Sequence, residues 1–248
     1  MACELYSGTP GSGKSLHAAQ KIVAALKGRK TVIANFPINF DYFKKRNGKM
    51  PKLGTFEYVQ NQDLTVPFLK KYSKDNFKHF KEHQCLVVID ECAVLFNPRI
   101  DRKDRIDWVT FLSQHRKYGY DILLISQSDT LIDRQIRPMI ETEYKHRALS
   151  NYGIAGWLFS EIFGNYFWVN SYWYGCRMKL SSNVFRFHKK QSSLYDSFKL
   201  FDETDNEPKK EEKKEDGKCS EPAADEKQET TAPEAVQAAV PEAVKAVQ

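Results

Sequence analysis

The sequence predicts an α/β fold, a mostly parallel sheet flanked by helices and built around a phosphate-binding loop, from three observations. Residues 8–15, G-T-P-G-S-G-K-S, match G-x-x-x-x-G-K-[ST] at every fixed position, between a short apolar run and a stretch of helical spacing. Residues 85–89, C-L-V-V-I, are continuously apolar and end in Asp90-Glu91. Residues 121–127, D-I-L-L-I-S-Q, form a second such run closed by a polar amide. Runs of this kind suit parallel strands buried on both faces.

In chain order, residues 3–6 supply the first strand. The loop that follows carries Gly8, Gly11 and Gly13, which take backbone angles closed to other residues, so that its N–H groups converge on phosphate oxygens; Thr9, Pro10 and Ser12 complete the cradle. Leu16, Ala19, Ile22, Val23 and Leu26 predict a helix over 14–27, whose N-terminal dipole also favours phosphate. Lys14 then reaches the β and γ phosphates, and the Ser15 hydroxyl binds Mg2+. A Gly-rich turn that happens to fit the pattern is the plainer alternative, and the strand-loop-helix setting argues against it.

Gly28 stops the helix, and residues 31–36 predict a second buried strand ended by Pro37. Residues 41–55, with Lys44, Lys45, Arg46 and Lys49, predict an exposed basic loop or hairpin, and 63–83 a helix covering the sheet. The strand at 85–89 delivers two carboxylates to its carboxyl end beside the phosphate loop. There Asp90 holds the Mg2+ through water and Glu91 polarises the attacking water. Residues 104–117 predict a partly amphipathic helix stopped by Gly119, and the strand at 121–127 puts Gln127 where it senses the γ-phosphate or orients water. Arg116, Arg134, Arg137 and Arg147 are cations able to act on a neighbouring subunit's nucleotide, with Arg137 the first candidate.

Residues 152–174 hold ten aromatics, which predict strands or a hairpin packed on the core, with a membrane or subunit contact as the alternative. Ser160, Glu161, Asn165, Asn170 and Ser171 interrupt every window long enough to span a bilayer. Residues 184–188 alternate like a final edge strand. From residue 202 onward there is no aromatic at all, and Glu, Lys, Pro and Ala dominate, the composition of a disordered tail. The expected organisation is therefore a nucleotide-binding core over 1–150, an aromatic-rich extension packed on it over 151–201, and a tail over 202–248.

The tail carries 14 acidic and 7 basic residues, which leaves 31 basic and 18 acidic residues, a net charge of +13, on residues 1–201. Such a field suits nucleic acid or an anionic membrane face. Five cysteines without a C-x-x-C pair suggest neither a disulfide framework nor a zinc site, and the six histidines show no metal-ligand spacing. Met1 leads at once into the loop, leaving no room for a signal peptide, so a cytoplasmic chain is expected.

With these residues in hand, the chain resembles the zonula occludens toxin family, whose relatives include the morphogenesis ATPases of filamentous phages. The likeness rests on residues 8–15, Asn35-Phe36-Pro37, Val88-Ile89-Asp90-Glu91, the H-R-K-Y-G-Y-D run at 115–121, and Ser126-Gln127. It implies an additional-strand P-loop ATPase using ATP and Mg2+, working as a homo-oligomeric ring at the cytoplasmic face of the inner membrane to assemble and extrude phage. Implied partners are phage DNA or a DNA-protein complex and a membrane assembly complex. The family usually continues into a membrane-spanning helix and an external domain, whereas here the acidic tail follows, with no transmembrane helix. A DNA-translocating or packaging ATPase without a membrane role, or a P-loop kinase, are the competing expectations; nothing between residues 129 and 201 resembles a kinase lid.

Overall fold

The computed structural model describes residues 3–45, 48–78, 81–99, 101–151, 164–187 and 193–194, which lie within one unit, Met1–Phe201. Strands β1 (Cys3–Ser7), β2 (Thr31–Ala34), β3 (Phe56–Tyr58), β4 (Cys85–Ile89), β5 (Tyr120–Ser126), β6 (Thr142–Ala148), β7 (Tyr166–Trp173) and β8 (Met178–Arg186) form one sheet in the order β3-β2-β4-β5-β1-β6-β7-β8. The first six run parallel, and β7 and β8 return antiparallel. Strand β5 lies between the loop-bearing β1 and the acid-bearing β4, which is the additional-strand arrangement.

The central strands are apolar along their length because helices cover both faces. Helix α1 (Lys14–Lys27) buries Leu16, Ala18, Ala19, Ile22, Val23 and Leu26, and packs with Tyr6, Val32, Ala34, Val88 and Leu123. Gly28 ends it by donating its N–H to the Ala24 carbonyl. On the other face α2 (Val66–Asn76), with Thr65 capping the Phe68 N–H, and α3 (Arg102–Gln114) bury Leu69, Trp108, Phe111 and Leu112 against Leu5, Ile33, Val87, Ile122 and Leu124.

Several elements depart from the sequence expectation. The helix expected over 63–83 occupies only Val66–Asn76, and the described part of 41–55 holds a 3-10 turn, Phe40–Phe43, that leads to β3 rather than to a hairpin. Strands β3 and β6 were not legible, since β3 is three residues long and β6 reads T-E-Y-K-H-R-A with no apolar run. Of the aromatic segment 152–174, the described part carries one strand, β7, whose hairpin partner is β8, an edge strand that begins at Met178 rather than at the expected 184. The remainder of the aromatic segment, 152–163, and the expected tail, 202–248, lie outside the described residues. Among the described residues no helix is long and apolar enough to cross a membrane.

Candidate nucleotide-binding site

The loop between β1 and α1 is shaped by three glycines at positive φ, Gly8, Gly11 and Gly13, two of which are closely approached by other strands. A Cβ on Gly8, whose φ is 147°, would stand 2.4 Å from the His146 carbonyl oxygen; one on Gly13, at φ 89°, would stand 2.7 Å from the Phe167 ring. Neighbouring strands β6 and β7 therefore press on the loop closely enough to require glycine. Gly13 caps α1 without any side-chain hydrogen bond, so the N–H groups of the first helical turn stay available to an anion. Lys14 folds over the loop and donates to the carbonyls of Gly8 (2.7 Å) and Thr9 (3.0 Å). Burial pulls the Lys14 amine below the ordinary lysine value, and the charges of Glu91 and Asp90 act against that. Those two carboxylates thus share an electrostatic environment with the loop lysine.

The three strand ends are tied together by main-chain bonds. The Gly8 N–H donates to the Gln127 carbonyl (3.2 Å), and the Cys92 N–H donates to Ile125 (2.9 Å). Gln127 consequently stands next to the loop with its residue exposed, and the segment after Glu91 is clamped to β5. Glu91 itself is held at φ 46°, a left-handed conformation that is strained for a glutamate. Its N–H donates to Asp90 Oδ1 at 2.8 Å.

Asn35, at the end of β2 and buried, fixes the other side of that turn. Its Oδ1 accepts from the Asp90 N–H (2.7 Å), while its Nδ2 donates to the Asp90 carbonyl (2.8 Å) and to Asn61 Oδ1 (2.8 Å). One amide therefore holds both ends of the Asp90 residue. In the sequence Asn35 is part of the expected strand over 31–36 and of the family pattern; its role follows from β2 and β4 being neighbours, which no local signal reports.

Behind the loop lie two histidines that no motif marks. His146 Nδ1 faces the carbonyls of Tyr144 (2.9 Å) and Ser7 (3.3 Å), so it carries the proton, and Nε2 accepts from His17 Nδ1 at 2.8 Å. Burial lowers His17 to about 4 and His146 to about 3, with further depression of His146 from His17 and of His17 from Lys21. Both are neutral near pH 7. Ser7, at the end of β1, donates to buried Glu143 on β6 (2.7 Å), and Arg177 in the β7–β8 turn bridges Glu143 (2.9 Å) and Asp129 (2.8 Å). Burial pushes Asp129 up, but hydrogen bonds from Arg177 and Tyr174 outweigh it and hold the carboxyl below its usual range.

The candidate arginines are distributed differently. Arg137 donates to the carbonyls of Ile132 (2.8 Å) and Thr130 (2.7 Å), bracing its own turn, and Arg116 pairs with Glu141 at 2.6 Å. Arg134 and Arg147 are exposed, and Arg147 follows His146, whose carbonyl abuts Gly8. Among the described residues no cluster of His, Cys, Asp and Glu has the arrangement of a protein-only metal site. A hydroxyl at Ser15 with a carboxylate at Asp90 suits instead a Mg2+ that also binds phosphate oxygens and water.

The family model for zonular occludens toxin (Zot) matches residues 2–203. The Gene 1 protein of Enterobacteria phage I2-2 is 30% identical over 141 residues, which are 55% of this chain and 37% of that protein. That of Salmonella phage IKe is 29% identical over 141 residues, again 55% and 37%. The chain thus spans 37% of the length of these curated relatives. The N-terminal domain of zonular occludens toxin from Neisseria meningitidis is 18% identical, covers 79% of this chain and 100% of its own, and superposes with a TM-score of 0.52, a likeness of fold.

Proposed function

The chain belongs to the zonular occludens toxin family, and from that premise we propose that it is an ATP-hydrolysing motor that drives assembly and extrusion of filamentous phage at the inner membrane. The observation that carries this reading is the convergence of the phosphate loop, Asp90-Glu91 and Gln127 at the carboxyl ends of three adjacent strands, β1, β4 and β5. Nucleotide phosphates would take the N–H groups of residues 8–15 and displace Lys14 from the loop carbonyls onto phosphate oxygen. Mg2+, held by Ser15 and Asp90, would supply charge neutralisation on the phosphates. Glu91 would orient and polarise the attacking water, with Gln127 beside the γ-phosphate. Glu91 is exposed between Asp90, held by Asn35, and Cys92, held by the Ile125 carbonyl, so the turn that carries its carboxylate is fixed on both sides. A ring would place an arginine from one protomer at its neighbour's nucleotide. Arg137 remains the first candidate, although its guanidinium would have to leave the Thr130 and Ile132 carbonyls; exposed Arg134 and Arg147 need no such release.

The test is nucleotide affinity and ATP turnover in wild type, Lys14→Ala and Glu91→Gln. Lys14→Ala should abolish tight binding, and Glu91→Gln should bind normally and lose turnover by on the order of 100-fold or more. Unchanged binding in Lys14→Ala, or transfer of phosphate to a metabolite in place of water, would overturn the reading. Mixing Lys14→Ala with each arginine variant should restore partial turnover for the one that acts in trans.

A further inference from the structure

Strands β6, β7 and β8 carry a face that, apart from the candidate Arg147, the proposed nucleotide chemistry does not use. Register places residues in rows across it: Arg147 opposite Trp168 and Trp168 opposite Val184, then Lys145, Asn170 and Ser182, then Glu143, Tyr172 and Lys179, with Glu143 buried. Arg186 stands opposite Tyr166, with its guanidinium 5.8 Å from the ring centroid, and the Lys145 ammonium lies 5.5 Å from the Tyr172 centroid. Trp168 is 38% exposed, and its indole N–H is engaged within the sheet by Ser182 Oγ (2.5 Å) and Asn170 Oδ1 (3.1 Å). The acids nearby are paired, since buried Glu143 and Asp129 share Arg177 and the Lys145 ammonium lies 3.7 Å from Glu143.

We propose that this β6–β8 face binds single-stranded nucleic acid, with bases stacking on Trp168 and its neighbouring tyrosines and phosphates meeting Arg147, Lys145, Lys179 and Arg186. Interleaved cations and aromatic rings on an open strand surface match a polyanion whose bases are unpaired, because stacking needs a ring face and a duplex offers phosphates alone. Lipid fits less well. Among the described residues the polar row of Lys145, Asn170 and Ser182 separates Trp168 and Val184 from Tyr172 on this face.

The face is also wired to the phosphate loop. Side chains alternate along β7, so Phe167 packs under Gly13 while Trp168 points to the opposite side of the sheet. Any change at Gly13 on nucleotide binding therefore reaches the strand that carries the stacking residue. The inference deepens the motor reading by naming the class of its polymer, and binding itself is measured without ATP.

The experiment measures anisotropy of a fluorescein-labelled oligothymidylate with the full chain at several salt concentrations, beside a duplex of mixed sequence and phosphatidylglycerol vesicles. Oligothymidylate should bind more tightly than duplex. Trp168→Ala should weaken it about tenfold, given roughly 1–3 kcal/mol per stacked base, and Trp168→Phe should recover most of the loss. The pair Lys179→Ala with Arg186→Ala should make the salt dependence of log K shallower by about 1.4, from two single-strand phosphate contacts. Basal ATP turnover without polymer should stay unchanged in these variants, so its absence in the wild type would refute the motor and leave the binding result standing. Equal affinity for duplex, or oligothymidylate binding that ignores all three variants, would overturn the proposal. Vesicle binding lost in Trp168→Ala with oligothymidylate unaffected would overturn it in favour of a membrane surface.

Discussion

Asn35→Ala removes a single buried side chain and tests how the acidic turn is held. Three hydrogen bonds of 2.7–2.8 Å disappear, two of them to the main chain of Asp90. At roughly 1 kcal/mol net per bond, the loss should be about 2–4 kcal/mol. That is a substantial fraction of a domain stability of roughly 5–15 kcal/mol. Urea denaturation should show a lower midpoint at an unchanged slope. Catalysis should suffer separately, because a displacement on the order of 1 Å at the Asp90-Glu91 turn costs on the order of 100-fold in kcat, with nucleotide affinity, set by the loop, nearly kept. Asn35→Asp should fare no better, since its second oxygen would face the Asp90 carbonyl and Asn61 Oδ1, both acceptors. A midpoint within about 0.5 kcal/mol of wild type together with unchanged kcat would refute the idea that this amide positions the turn.

Gly13→Ala should weaken nucleotide binding, because the new methyl meets the Phe167 ring at 2.7 Å and the residue sits at φ 89°; adding Phe167→Ala should relieve the clash but leave about 1–2 kcal/mol of backbone strain, and full rescue would contradict that division. The histidine pair makes stability pH-dependent: both folded pKa values lie below the ordinary 6.5, so the unfolded chain takes up protons first and stability falls as pH drops from about 6.5 to 4. The slope from the pair should approach about 2.7 kcal/mol per pH unit at its steepest; denaturation midpoints against pH should show it, and His17→Gln should flatten it. Arg177→Ala should cost about 1–3 kcal/mol, because buried Glu143 then keeps only the Ser7 hydroxyl and the Lys145 ammonium 3.7 Å away, and Glu143→Gln in the same chain should recover part of it; equal stability in the single variant would remove the network from the account.

What the chain declares locally is what depends on neighbours in sequence. The phosphate loop, helix α1, strand β4 and its Asp90-Glu91 tip are each specified by residue types at fixed spacing, and the boundaries of α1 and β4 follow from them. A continuous apolar run can only be buried on both faces, so β4 and β5 announce themselves as central. By contrast, β6 carries Glu143, Lys145, His146 and Arg147, residues that discourage burial until partners distant in the chain satisfy them. Ser7 donates a hydrogen bond to Glu143 across 136 residues and Arg177 pairs with its charge across 34, and His17 pairs with His146 across 129. The requirement for glycine at positions 8 and 13 was legible as a motif, but its cause, the approach of the His146 carbonyl and the Phe167 ring, is a property of β6 and β7 lying against the loop. Asn35 and Asp90 are 55 residues apart and meet only because β2 and β4 pair. Sequence alone determined which chemistry the loop and the acidic turn can perform, since that resides in side chains close along the chain. Only the tertiary structure decided which distant polar groups hold them in place, because a buried hydrogen bond exists only once the sheet order has brought donor and acceptor together.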